Sequence, residues 1–207
     1  MKVPSILMLG SFLGILAGIC ASALSRADGS VEEGQSKATA CIACHGPNGN
    51  SSNPEWPNLA GQNETYTKRQ LQAFKSGARK DPLMTPMATG LSEDDMDDLA
   101  AYFAQQTLQG LEADPGKVAL GQRLYRGGDL RLGTAACGAC HGPGGDGNAA
   151  AGYPAIQGQH AVYTAAELRA YRSGTRQTDP SQMMRTVAST LTDEQIDAVA
   201  SYLQGLR

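Results

Sequence analysis

Two five-residue strings constrain this chain more than anything else in it: Cys41-Ile42-Ala43-Cys44-His45 and Cys137-Gly138-Ala139-Cys140-His141. In C-x-x-C-H, two thiols three positions apart can each form a thioether to one vinyl group of a single porphyrin. The adjacent histidine is then placed to give the iron its proximal nitrogen. Two copies imply two covalently bound c-type haems. A thioredoxin-like C-x-x-C needs no following histidine and sits in a βαβ pattern, which the chain does not show. A zinc ribbon places its second pair about 15–20 residues after the first, far closer than Cys137 lies to Cys44. Accidental cysteines would have to meet a histidine twice in the same register.

Residues 1–27 read as a secretory signal peptide, with Lys2, an apolar stretch from Ile6 to Cys20, and two small-residue cleavage sites. These are Ala21-Ser22-Ala23 and Ser25-Arg26-Ala27; cleavage after Ala27 is favoured because Asp28-Gly29-Ser30 makes a polar start. An uncleaved anchor is the alternative, although the apolar run is shorter than the ~20 residues of a membrane span. Cys20 raises a lipid-modified cysteine, for which Ile19 is a poor predecessor. Export to the periplasm follows, and every cysteine of the exported part then lies in a C-x-x-C-H string. No thiol is left for a disulfide framework, which an oxidising compartment would otherwise encourage. Three Phe and one Trp in the whole chain are few for a core. Domains below about 100 residues bury little surface, so the porphyrins are expected to supply it, and their removal to unfold each half.

The chain is a duplication. An offset of 97 lays Pro57-Asn58-Leu59-Ala60-Gly61-Gln62 on Pro154-Ala155-Ile156-Gln157-Gly158-Gln159 and continues through Tyr66/Tyr163 to Arg79/Arg176. A three-residue insertion then shifts the offset to 100, matching Leu91-Ser92-Glu93-Asp94 with Leu191-Thr192-Asp193-Glu194. The expected division is 28–110 and 111–207, with a linker around Gly110 to Pro115. Each half reads as helical, giving an all-α fold of two tandem domains, each wrapped around one haem. Met96, Leu99, Ala100 and Phe103 fall on one helical face, and Ile196, Val199, Ala200 and Leu203 repeat it. Thr192 with Gln195 forms a capping box that Ser92 with Asp95 approximates. First helices are expected over roughly Val31–Ala40 and Lys117–Arg126. Middle helices carry Tyr66, Leu71 and Phe74, then Tyr163, Leu168 and Tyr171.

The sixth iron ligand decides between electron transfer and chemistry. The third histidine, His160, aligns with Asn63 and reads as a surface residue, since a ligand needed in both halves should be present in both. Methionine does recur: Met84 lies eight residues before Ser92, and Met184 eight before Thr192. Both sit in segments expected to be irregular. Gap-filling in a core is the ordinary role of methionine, but the matched placement favours Met84 and Met184 as axial ligands. Met87 and Met183 are the alternatives.

With these elements in place, the sequence resembles the dihaem cytochromes c4, which are tandem class I cytochrome c domains. The pieces that carry the likeness are Gly34-Gln35 and Gly121-Gln122, the Pro-x-Leu/Ile loops, Gly-Gln-x-x-x-Tyr, the final Tyr202-Leu203-Gln204-Gly205-Leu206, and the extra residues Arg126 to Ala136. The resemblance implies two haem-packed helical domains related by a pseudo-two-fold axis, with haem propionates near their interface. It implies His/Met ligation by His45 with Met84 and by His141 with Met184. It also implies that the carbonyls of Pro57 and Pro154 accept the proximal imidazole N–H, a contact that fixes the ring.

The reading is a periplasmic electron carrier and not an enzyme, because two closed axial positions leave no substrate site. The resemblance suggests a quinol-oxidising complex as donor and a terminal oxidase as acceptor. The alternatives are the cytochrome subunit of a periplasmic dehydrogenase complex, or a dihaem enzyme with one labile ligand. Residues 28–110 hold six basic and eleven acidic side chains, and 111–207 hold nine of each. Much of that excess is Glu93-Asp94-Asp95 with Asp97-Asp98, which suits a helix N-terminus or the steering of a partner onto one end. Nothing basic and aromatic-interleaved points to nucleic acid. Peripheral membrane association is left open. Arg79 and Arg176 hold matched positions that make haem-propionate partners conceivable, although sequence alone assigns neither.

Overall fold

Capped, amphipathic segments separated by glycine-rich loops dictate a chain of short helices. A computed structural model describes residues 29–207; the expected signal peptide, its cleavage sites and Cys20 lie outside the described residues. The first half runs α1 (Val31–Lys37), α2 (Thr39–His45), α3 (Glu64–Lys75), α4 (Met84–Thr89) and α5 (Glu93–Ala104). The second runs α6 (Pro115–Gly127), α7 (Gly138–His141), α8 (Ala161–Ser173), α9 (Met183–Ser189) and α10 (Asp193–Gly205), with a 3-10 turn at Pro180–Gln182. Among the described residues, β pairing is confined to two isolated bridges, Asp129 with Thr134 and Asn148 with Tyr153. None of the described helices is long and apolar enough to cross a membrane.

Both capping boxes form. Ser92 Oγ accepts from Asp95 N and Asp95 Oδ2 accepts from Ser92 N, while Thr192 and Gln195 make the reciprocal pair. The helices they start bury the expected faces: Met96, Leu99, Ala100 and Phe103 are each at most 2% exposed, and Ile196, Val199, Ala200 and Leu203 at most 3%. Each terminal helix packs across the first helix of its own half, α5 on α1 and α10 on α6. Glycine makes the crossing close: a Cβ on Gly34 would collide with the Asp98 carbonyl, and one on Gly121 with the Ala198 carbonyl.

Two expectations need correction. The first helix does not run unbroken from Val31 to Ala40; it stops at Lys37, and Ala38, fully buried, joins it to α2. The methionine segments are not irregular. Met84 opens α4 and Met184 is the second residue of α9.

The halves meet through a hydrogen-bonded clamp with two-fold character. Gln62 donates to the Ala155 carbonyl (2.8 Å) and accepts from Ala155 N (2.9 Å); its repeat mate Gln159 donates to the Asn58 carbonyl (2.9 Å) and accepts from Asn58 N (2.8 Å). Asn58 and Ala155 are themselves mates, so each half lends a side-chain amide to the other's backbone. His160, expected on the surface, is 6% exposed, and its Nε2 donates to the Ser51 carbonyl (2.9 Å). Its mate Asn63 likewise donates across the interface, to the Tyr153 carbonyl (2.9 Å). The alignment with Asn63 thus marked a shared interface position.

Candidate haem sites

In the first half, Cys41, Cys44 and His45 lie on α2, which puts the two thiols on one helical face a turn apart. Gly46 follows with φ 79° and ends the helix; a side chain there would meet the Asn50 carbonyl. The second half repeats the device with Cys137, Cys140 and His141 around α7, closed by Gly142 at φ 81°. Among the described residues the four cysteines form no disulfide. Burial pushes the Cys41 thiol up, aided by the charge of Cys44, and pushes Cys137 up to about 11.

Both histidines are buried, at 6% and 7% exposed. His45 Nδ1 lies 2.8 Å from the Pro57 carbonyl and His141 Nδ1 lies 2.9 Å from the Pro154 carbonyl. A carbonyl oxygen can only accept, so Nδ1 carries the proton and Nε2 presents its lone pair. Burial lowers the proton affinity of both rings more than the carbonyls raise it, which favours neutral imidazole. The loops that bring up these prolines are pinned alike. Leu59 N donates to Gly49 O (2.7 Å), and Ile156 N to Gly145 O (2.8 Å).

The two methionine segments differ. Asp81 Oδ1 accepts from the backbone N–H of both Leu83 and Met84 at 2.8 Å, starting α4 in an ordinary conformation. The second half instead reaches Met184 through Ser181 (φ 50°) and Gln182 (φ 59°), the non-glycine residues with left-handed backbone among those described. Buried Asp179 holds that turn by accepting from Arg185 N and Nε, both at 2.9 Å. Met84 and Met184 are half-buried, whereas Met87 is 47% exposed and Met183 36%. Met183 sulfur is 3.8 Å from the Tyr153 hydroxyl.

This donor set fits a c-type haem in each half: paired thiols on one face, an imidazole with a free Nε2, and a thioether at the start of a short helix. On α3, buried donors also fit a haem's carboxylates. Thr67 Oγ1, Arg69 Nε and Gln70 Nε2, all on α3, have no partner within the protein. Sequence reasoning missed the glutamine clamp and the interface duty of His160. The recurrence of Gly-Gln-x-x-x-Tyr in both halves was the available signal for the clamp.

The cytochrome c family model matches residues 31–107 and again 118–207. Cytochrome c4 of Pseudomonas aeruginosa is 44% identical over 195 residues, covering 94% of this chain and 97% of that protein. The thiosulfate dehydrogenase electron acceptor of Stutzerimonas stutzeri is 38% identical over 169 residues, covering 80% of this chain and 78% of that one. Among solved structures, reduced recombinant cytochrome c4 from Pseudomonas stutzeri superposes with a TM-score of 0.84 at 45% identity, over 86% of this chain and all of that one. Duplicated fold, duplicated donor sets and relatives agree: the chain belongs to the cytochrome c4 family of electron-transfer proteins, which carry two covalently attached c-type haems.

Proposed function

We propose that this cytochrome is exported to the periplasm with residues 1–27 removed, and works there as a respiratory electron carrier. In this reading 28–110 and 111–207 are its two domains, and it takes electrons from a quinol-oxidising complex and passes them to a terminal oxidase. Cys41, Cys44, Cys137 and Cys140 form the thioethers, and His45 with Met84 and His141 with Met184 close the two irons. The bound haems supply the one-electron couples. The chain holds each imidazole at Nδ1 through the Pro57 or Pro154 carbonyl, so the ring does not turn between redox states. A thioether from Met84 or Met184, joined to the imidazole as an iron ligand, would favour the ferrous state and raise the potential.

The observation that supports this best is the repetition of pinned histidine and half-buried methionine in both halves, which offers each iron the same pair of donors. An optical redox titration of the exported holoprotein, with and without carbon monoxide, tests it. Two positive one-electron steps indifferent to the gas are expected. Ready gas binding at either haem would replace the carrier by a dihaem enzyme.

A second reading has one specific support, the likeness to a thiosulfate dehydrogenase electron acceptor. There the donor is a periplasmic dehydrogenase and the haem chemistry is unchanged. Stopped-flow reduction by a purified thiosulfate dehydrogenase separates the two: rapid reduction favours this donor, and failure alongside fast turnover with a terminal oxidase favours the first reading.

A further inference from the structure

Each proximal histidine is one peptide group away from the opposite half. The Pro57–Asn58 peptide presents its carbonyl to His45 Nδ1 (2.8 Å) and its N–H to Gln159 Oε1 (2.8 Å). The Pro154–Ala155 peptide repeats this, with its carbonyl on His141 Nδ1 (2.9 Å) and its N–H on Gln62 Oε1 (2.9 Å). Both peptides are trans, so C=O and N–H point in opposite directions from one flat, conjugated unit. That unit spans the gap from the histidine to the interface. The connection is crossed: the glutamine of each half ends on the histidine of the other.

The partners of both glutamines fix which way their amides face. Besides the cross-domain N–H, Gln159 Oε1 accepts from His160 N and Gln62 Oε1 from Asn63 N, each at 3.0 Å. A backbone N–H can only donate, so the atom it meets is the oxygen. On the other side Nε2 faces the Asn58 or Ala155 carbonyl, which can only accept. Turning either amide over would set donor against donor and acceptor against acceptor. Asn58 is buried, and in low-dielectric surroundings hydrogen bonds in series polarise one another. An acceptor on the N–H shifts electron density onto the carbonyl oxygen of the same peptide. That oxygen then draws harder on the imidazole proton, which makes the ring a stronger donor to iron.

We propose that Gln159 and Gln62 are positioning residues that tune the haem of the half opposite their own, Gln159 through His45 and Gln62 through His141. The inference rests on the histidine ligation proposed above. Each glutamine acts on the histidine through the shared peptide and not on iron. A stronger imidazole donor stabilises ferric iron, so each glutamine holds the opposite potential down. The clamp therefore ties both potentials to the closure of the interface, and loosening it raises them together. The first connection is the cleaner one to cut. Asn58 Oδ1 accepts from Ser51 N (2.8 Å) and Asn58 Nδ2 donates to the Gly158 carbonyl (3.0 Å). Those bonds keep the Pro57–Asn58 peptide in place when Gln159 is replaced, whereas the alanine at 155 has no side chain to do so.

The experiment is a redox titration of holoprotein carrying isotope-labelled histidine, followed by NMR at each ring, with the rings assigned through their Pro57 and Pro154 contacts. Wild type is compared with Gln159→Leu and Gln62→Leu, which keep the volume and remove the accepting oxygen, and with Gln159→Glu, which keeps that oxygen. Gln159→Leu is expected to raise the midpoint read at His45 and leave that at His141, and Gln62→Leu to do the reverse. In each case the Nδ1–H resonance of the affected ring moves upfield as its hydrogen bond weakens. Gln159→Glu is expected to leave the His45 midpoint at or below the wild-type value; a rise there overturns the proposal even where a leucine variant does not fold. Shifts on the same half as the substitution, equal shifts at both haems, or a lowered melting temperature with unmoved midpoints would reduce the glutamines to adhesion and sink it. Ring resonances of His45 and His141 indifferent to oxidation state would instead defeat the histidine ligation, so the two failures are distinguishable.

Discussion

The two halves agree closely where they face a haem or each other and diverge elsewhere. The glycine that ends each C-x-x-C-H helix and the methionine at the start of a short helix recur, and the histidine pins and the glutamine clamp repeat at 2.8–2.9 Å throughout. The approach to the haem motif does not. The first half breaks its leading helix at buried Ala38, whereas the second keeps α6 whole and inserts a turn held by the Asp129–Thr134 bridge. The route to the methionine also differs, relaxed behind Asp81 and left-handed through Ser181 and Gln182. Duplication thus preserved the histidine pins and the two-fold interface, and let the segments that lead into each motif and each methionine diverge, even where they are buried.

The harshest way to break the comparison is at the helix crossing. Gly34→Val and Gly121→Val each push a side chain into a backbone carbonyl of the crossing helix. Backbone cannot yield as a flexible side chain can, so each should cost about 3 kcal/mol or more, the upper end of overpacking. Thermal melts of the single variants should lose one half's cooperative unfolding while the other persists. Equal losses would confirm that the crossings are interchangeable.

Next in size are the methionines. Met84→Ala and Met184→Ala should each open one of the two irons, so that carbon monoxide binds one haem and one redox step moves down, since a thioether raises the potential. Met87→Ala and Met183→Ala should leave both steps in place. The comparison sharpens at the second iron. Left-handed non-glycine backbone stores of order 1 kcal/mol per residue. Ser181→Gly with Gln182→Gly should relieve it and raise the melting temperature of the second half.

Much of this was legible in the sequence because covalent and periodic constraints write themselves locally. A C-x-x-C-H string, a capping box from Thr192 to Gln195 and a four-residue apolar face are short-range patterns with single physical readings. What stayed illegible was non-local. Ala38 sits on no breaker signal; it interrupts the first helix because the chain must turn there into a fully buried corner. Met84 and Met184 were expected in irregular segments on account of nearby prolines, yet Pro86 falls within the first turn of α4, where its missing N–H costs little. His160 read as surface because its mate is asparagine, and only the assembled interface shows both reaching across it.

The clamp gives a smaller, paired test. Gln62→Ala and Gln159→Ala each remove two part-buried hydrogen bonds to the backbone of the opposite half, for about 1–3 kcal/mol per variant. If the axis is energetically two-fold, denaturant melts should give equal losses. A larger loss for Gln159 would mean that neighbouring His160, bonded to Ser51, makes its side the stiffer one.

The smallest effect separates two helix starts that look alike. Ser92→Ala and Thr192→Ala should each cost about 1 kcal/mol at neutral pH. They should part company in acid. Asp95 is held well below the usual carboxylate range, first by its hydrogen bond from Lys37 and then by those from Ser92, whereas its mate Gln195 does not titrate. A carboxyl depressed on folding contributes stability that is full above its unfolded value near 3.9 and is lost as the pH falls toward the folded value. Stability of wild type and Asp95→Gln, followed by denaturant melts from pH 7 down through pH 3, should therefore converge as acid removes what the substitution has already removed. A gap that stays constant with pH would mean that Asp95 acts by shape and hydrogen bonding alone, as Gln195 does.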